Sequence, residues 1–149
     1  MRDEPGSAHL RLESLVGRWR TEGWTRETAE GPAARIEATD TYEWLPGGFG
    51  LLHTVDARVG EEHVEGAEII GWDPEHDAYT TQYFGSNGPN TYEARFTKED
   101  GALVWSMRSS QDRFTGTFSN DGNTITGHWE QLGDENWQPW MDVTLTKPR

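Results

Sequence analysis

The sequence contains no cysteine and only half as many basic as acidic side chains. Without thiols there can be no disulfide bonds, thiolate zinc sites or cysteine nucleophiles. Lysine and arginine together number 13 against 26 aspartates and glutamates, so the net charge is −13. A chain of this charge repels phosphate groups, and we therefore expect neither nucleic acid nor an anionic membrane as a partner.

Long apolar runs are missing as well. No run approaches the roughly 18 residues of a membrane-spanning helix, and the charged residues 1–6 do not resemble a secretory signal. These absences predict a cytoplasmic protein. We expect a disordered N-terminus at residues 1–7 and a single domain at 8–149, because the chain length suits one domain. The sequence leaves open whether the protein forms a homodimer.

The residues that are abundant indicate an all-β protein. Eight tryptophans and 17 glycines favour short strands, tight turns and an aromatic interior. Ser7 is the predicted N-cap of a short helix that runs to about Leu15, and from Gly17 onward apolar residues recur at every second position. The turn signals then predict ten strands, at about residues 17–24, 35–45, 48–59, 62–72, 78–86, 90–98, 102–109, 112–119, 124–131 and 138–147.

Hairpin-length connections between ten strands predict a closed antiparallel up-and-down barrel, because closure removes exposed strand edges. Such a barrel has room for one small ligand. Pairing across the turns predicts that Asp40 lies opposite His53, His53 opposite Glu68, Glu68 opposite Tyr83, and Tyr83 opposite Tyr92. Charged groups on a face that is otherwise apolar are unusual, so this level of the barrel is the candidate site.

The interior face supplies the predicted ligand-binding residues. A histidine between two carboxylates can bind a polar group or act as an acid and base, but it can also be a polar network that only holds the strands in register. His53 is the candidate catalytic residue. The predicted ligand contacts are Asp40, Tyr42, His53, Glu68, Tyr83, Tyr92, Trp105, Met107 and Trp129. The aromatic residues predicted to line the rest of the interior include Phe49, Phe114 and Phe118.

The other histidines do not suggest a metal centre. His63 and Glu65, like His128 and Glu130, form pairs that the alternation places on the solvent face, where polar pairs are ordinary. We therefore predict no metal and no cofactor.

Several runs in the chain resemble the DUF1579 type of bacterial lipocalin-like protein. They are Leu-Val-Gly-Arg-Trp at 15–19, Trp-Leu-Pro-Gly-Gly-Phe at 44–49, Glu-Ile-Ile-Gly-Trp-Asp-Pro at 68–74, Tyr79, and Tyr-Phe at 83–84. The resemblance covers roughly residues 10–147 and implies a calycin-like antiparallel barrel. It implies no activity, because that family is named for having none established.

The Gly-x-Trp motif at 17–19 is also similar to the start of nitrobindin, a ten-stranded haem barrel whose iron takes a histidine from a late strand. Here His128 is on a late strand, but the alternation turns it outward and turns Trp129 inward. His53 is the other candidate for an axial ligand, although it has acidic neighbours. We therefore disfavour a haem protein.

Taken together, these patterns predict a protein that binds a small apolar or aromatic molecule inside the barrel, with no enzymatic role assigned. One alternative is an isomerase or cyclase that uses His53 with Asp40 and Glu68 as its acid–base group. Another is an interaction protein whose interior is filled by its own side chains.

Overall fold

The computed structural model describes residues 5–29 and 31–148. The first four of the residues expected to be disordered lie outside this range, and Ser7 already belongs to a helix. Helix α1, Ser7–Arg11, continues as a 3₁₀ helix, Leu12–Leu15. The strands are β1 Gly17–Thr25, β2 Arg35–Trp44, β3 Gly50–Val59, β4 Glu62–Asp73, β5 Ala78–Gly85, β6 Gly88–Glu99, β7 Ala102–Arg108, β8 Asp112–Phe118, β9 Thr124–Leu132 and β10 Trp137–Thr146.

The strands form one closed barrel in which each pairs with its neighbours in sequence and β1 pairs with β10. All pairings are antiparallel, which confirms the predicted fold. The predicted alternation is confirmed, since residues predicted to face inward are buried, among them Trp19, Leu51, Ile70, Tyr79 and Trp105. In the described part of the chain, no helix is long and apolar enough to cross a membrane.

The N-terminal helical segment packs against the end of the barrel where β1 begins. Leu12 and Leu15 are almost fully buried there, and the Trp19 indole donates to the Leu15 carbonyl at 2.8 Å. The Tyr79 hydroxyl donates to the Ala8 carbonyl at 2.5 Å. A helix this short is not stable alone, so these contacts hold it in place. Gly6, rather than the predicted Ser7, is the N-cap, and its amide donates to Nδ1 of His9.

The predicted pairing of β2 with β3 is wrong by two residues. Tyr42 lies opposite His53, and Asp40 lies opposite Val55. The predicted strands leave two residues, 46–47, in the turn. In the structure the amide of Leu45 donates to the Gly50 carbonyl, so the turn contains four residues, 46–49. A shift of two residues keeps every side chain on its predicted face.

Two further details differ from the prediction. Phe49 lies in this longer turn, where it is 41% exposed and packs edge-to-face against His9 instead of lining the interior. Tyr83 pairs with Asn90, while Tyr92 pairs with Thr81. The second difference arises because β5 ends at Gly85, one residue before its predicted end, and β6 begins at Gly88, two residues before its predicted start, so the turn consists of residues 86–87. The pairings of His53 with Glu68 and of Glu68 with Tyr83 are confirmed.

The helical segment should contribute to stability through Leu12. We expect Leu12→Ala to lower the free energy of unfolding by about 2–5 kcal/mol, because it leaves a cavity at a fully buried position. Leu10→Ala is the matched control in the same segment, since Leu10 is 60% exposed. It should change the stability by less than about 0.5 kcal/mol. Urea denaturation measures both, and equal effects would contradict the packing described here.

Candidate functional site

Three adjacent strands bring a histidine and two carboxylates together inside the barrel. Nε2 of His53, on β3, lies 2.7 Å from Oδ1 of Asp40 on β2, and Nδ1 lies 2.9 Å from Oε1 of Glu68 on β4. The side chains of His53, Asp40 and Glu68 are 14%, 11% and 4% exposed. Asp40 reaches His53 diagonally, since Tyr42 is the residue directly opposite it. We call these three residues the acidic cluster.

The acidic cluster holds His53 in its charged form. Burial lowers the pKa of His53, but the hydrogen bonds and negative charges of Asp40 and Glu68 outweigh burial and raise the pKa to about 9. Both ring nitrogens then donate to carboxylates. Two carboxylates and one imidazolium leave the cluster with a net negative charge, which favours a cation or a hydrogen-bond donor in the adjoining space.

Two neighbours complete the surroundings of the acidic cluster. The Tyr42 ring stacks on the His53 ring, with centroids 4.0 Å apart and planes 7° from parallel. Burial, and then the charges of Asp40 and Glu68, raise the pKa of Tyr42, so its hydroxyl stays protonated. On the other side, the Thr21 hydroxyl donates to Oδ2 of Asp40 at 2.5 Å. Thr21 was not predicted as a site residue, although its inward position on β1 follows from the alternation.

The acidic cluster borders a cavity of about 460 Å³ inside the barrel. Most of its wall is aliphatic or aromatic, and the carboxylates on it belong to Asp40, Glu62, Glu68 and Asp112. His53 is the one basic side chain among its lining residues, which include no lysine or arginine. All nine predicted ligand contacts line this cavity, namely Asp40, Tyr42, His53, Glu68, Tyr83, Tyr92, Trp105, Met107 and Trp129. Their role as ligand contacts stays a prediction.

Tyr83 and Tyr92 line the cavity, but their hydroxyls bond elsewhere. The Tyr83 hydroxyl donates to Asn87 at 2.6 Å, and its ring lies so close to Gly85 that a Cβ atom there would clash. The Tyr92 hydroxyl donates to Oδ2 of Asp112 at 3.0 Å. Burial, and then Asp112, raise the pKa of Tyr92. Asp112 was not predicted as a site residue, although it begins the strand predicted at 112–119 and the alternation places it on the same face as Phe114.

A β-bulge brings Trp140 to the cavity. The pairing of β10 with β9 shifts between Pro139 and Met141, and both Trp140 and Met141 line the cavity as a result. Trp140 packs against Trp129, with ring centroids 6.1 Å apart. Strict alternation placed Trp140 outside. Pro139 was the available signal, because proline within a strand often marks a bulge.

The outer-face histidines lie beside exposed carboxylates. His63 lies 2.7 Å from Asp56 and 3.4 Å from Glu65, and all three are exposed. His76 pairs with Asp73 in the turn after β4. Such pairs are common on acidic surfaces without a metal, so they do not support a metal site.

The residues present do not fit a haem. His128 lies on the outer face, as predicted, where it is 59% exposed and its Nδ1 is 2.7 Å from Asp142. His53 faces the cavity, but both of its nitrogens are bound to carboxylates. Neither histidine therefore offers a nitrogen to an iron inside the barrel.

The raised pKa of His53 predicts a pH-dependent stability. The contribution of charged His53 to the free energy of unfolding is complete below about pH 6.5. It is lost as the pH rises through the folded-state pKa of about 9. We expect wild-type protein to lose about 3 kcal/mol between these values relative to His53→Asn. His63→Asn, on the outer face, is the control and should keep the wild-type pH profile. Urea denaturation from pH 6 to 10 measures this, and parallel profiles for wild type and His53→Asn would contradict it.

Two solved structures share the fold. The crystal structure of Rv2717c from M. tuberculosis matches with a TM-score of 0.76 and 11% identity, over 99% of this chain and 100% of that one. The S-type phycobiliprotein lyase CPES from Guillardia theta matches with a TM-score of 0.59 and 9% identity, over 97% of this chain and 94% of that one. At such low identity, these matches show the fold alone.

The sequence comparisons agree with the resemblance noted above. Curated proteins give no match to this chain. The family model described as "Protein of unknown function (DUF1579)" matches residues 4–130, which is most of the chain. The chain therefore belongs to the DUF1579 family.

Proposed function

We propose that this protein binds a small, largely apolar or aromatic molecule in the barrel and holds its donor or cationic group against the acidic cluster. The observation that carries the proposal is the cavity of about 460 Å³, whose mainly apolar wall includes the buried acidic cluster. Apolar pockets with a few converging polar groups are the usual form of small-molecule sites.

The charges of the cavity define which polar group suits it. Four carboxylates and one imidazolium line the space, so an anionic ligand would be repelled. Glu68 is the most direct contact, because Oε1 is used by His53 while Oε2 accepts no hydrogen bond from the described residues. A ligand N–H or ammonium group can supply that bond, and hydrogen bonds to charged acceptors are stronger than neutral ones.

The alternatives receive less support. A proton-transferring His53 would need a free ring nitrogen, and both are occupied by carboxylates. An interior filled by side chains does not agree with a cavity of this volume. The likeness to a phycobiliprotein lyase is a precedent for the shape of the barrel only. The proposal therefore stands on the cavity.

Freshly purified protein should carry a ligand that native mass spectrometry detects. We expect an added mass that disappears on denaturation, because apolar pockets of this size bury most of the surface of a bound small molecule. The same measurement on Glu68→Gln should show lower occupancy. Equal occupancy in the two proteins would contradict the role given to Glu68.

Three probes with one ring system test the polarity of the site. Naphthylmethylamine, naphthylmethanol and naphthoate carry a cation, a neutral hydroxyl and an anion on the same naphthalene. We expect the amine to bind most tightly and the carboxylate most weakly in isothermal titration calorimetry. Glu68→Gln should weaken binding of the amine by about tenfold or more, since it removes a charge-assisted hydrogen bond.

Glu43→Gln is the matched control for that substitution. Glu43 lies on β2 but on the exposed outer face, so its loss should leave the affinities of all three probes unchanged. Circular dichroism establishes that both variants are folded. Tighter binding of the carboxylate than of the amine would overturn the proposed polarity.

A further inference from the structure

Two polar groups beside His53 have no hydrogen-bond partner among residues 5–29 and 31–148. One is the Tyr42 hydroxyl, and the other is Oε2 of Glu68. The only buried side-chain polar atom without a partner in this part of the chain is Oγ1 of Thr81. The Tyr42 and Glu68 groups are therefore not sealed in the protein, and both residues line the cavity.

The two groups belong to the same part of the cavity wall. Tyr42 stacks on the His53 ring, and Glu68 is hydrogen-bonded to an edge of that ring. The charge of Glu68 also acts on the Tyr42 hydroxyl and contributes, after burial and Asp40, to its raised pKa. The stacking and the hydrogen bond keep the two side chains in place without using the free atoms.

These groups have complementary chemistry. The Tyr42 hydroxyl remains protonated, so it can donate a hydrogen bond, whereas an ionised Glu68 oxygen can only accept one. A simple amine would satisfy Glu68 but would leave the tyrosine without an acceptor. A ketone would satisfy the tyrosine but would leave the carboxylate without a donor. An unmet buried partner weakens binding, so such a pair discriminates between ligands.

We propose that Tyr42 and Glu68 together recognise a neutral ligand edge that carries a donor beside an acceptor, as the N–H and C=O groups of a lactam do. This inference rests on the proposed function and narrows its ligand class. Tyr42 becomes a specificity-determining residue, which contacts the acceptor while Glu68 contacts the donor.

Another part of the cavity wall, on β6, β8, β9 and β10, suits a ring attached to that edge. Trp129 packs with Phe114 at 5.0 Å, and with Tyr92 and Trp140 at 6.1 Å each, between ring centroids. All four residues line the cavity. Aromatic surfaces of this kind favour flat rings, so the ligand class is a lactam joined to an aromatic or conjugated ring.

Oxindole, indole and N-methyloxindole form a matched set of probes. Oxindole has both a donor and an acceptor, indole only the donor, and N-methyloxindole only the acceptor. We expect oxindole to bind wild type about fivefold more tightly than either of the others, because each of those loses one hydrogen bond. Titrations followed by NMR of isotope-labelled protein measure these weak affinities.

Two variants assign the groups. Tyr42→Phe should reduce the affinity for oxindole to that for indole while leaving indole binding unchanged. Glu68→Gln should weaken binding of oxindole and indole but not of N-methyloxindole. Tyr79→Phe is the control for the tyrosine change, because the Tyr79 hydroxyl donates to the Ala8 carbonyl and Tyr79 is not among the residues that line the cavity. It should preserve the preference for oxindole.

The outcomes separate this inference from the proposed function. If Tyr42→Phe weakens the binding of oxindole and indole equally, Tyr42 acts only through its stacking on His53. The lactam inference is then wrong, while the proposed contact of the ligand with Glu68 is unaffected. If Glu68→Gln leaves the affinities for oxindole and indole unchanged, or if no probe binds wild type, the proposed contact with Glu68 is wrong as well. Because each variant tests a different atom, misfolding of one leaves the other decisive.

Discussion

The His53 imidazolium, held between Asp40 and Glu68, is the interaction on which the interior of this barrel depends. It joins three adjacent strands, β2, β3 and β4, at one level. Isolated charges are costly to bury, but here each ring nitrogen has a carboxylate and Asp40 has a further donor in Thr21. Removal of any one member would leave the others uncompensated. The cluster can therefore be polar and stable within an aromatic interior.

The same interaction constrains the register of the strands. A slip of one residue between β3 and β4 would send His53 or Glu68 to the solvent face and leave the remaining charges inside. The hairpin pairing of His53 with Glu68 and the diagonal contact with Asp40 both require the observed alignment. Tyr42, stacked on the ring, excludes water from one side of it. Charge, register and packing thus support one another at this level.

Much of this could be predicted from alternation, because the face of a residue depends only on whether its position is odd or even within a strand. The inward positions of Asp40, His53 and Glu68 follow from that rule. Which residue lies opposite another depends on the turn between the strands. The predicted pairings were wrong at the turns before Gly50 and before Gly88. Trp140 was missed because a bulge adds a residue and so breaks the alternation. Asp112 was missed because its partner Tyr92 is distant in sequence.

Holding the strands together does not explain every polar atom around His53. A network that served only to hold the strands together would satisfy its own hydrogen bonds, as Tyr92 and Asp112 do with Asn90 and Ser109. Around His53, by contrast, one carboxylate oxygen and one hydroxyl remain without a partner in the described residues, and both border the cavity. Polar atoms beside an apolar space are costly unless water or a ligand satisfies them. The cavity and these unmet groups together are the observations on which the proposed binding site rests.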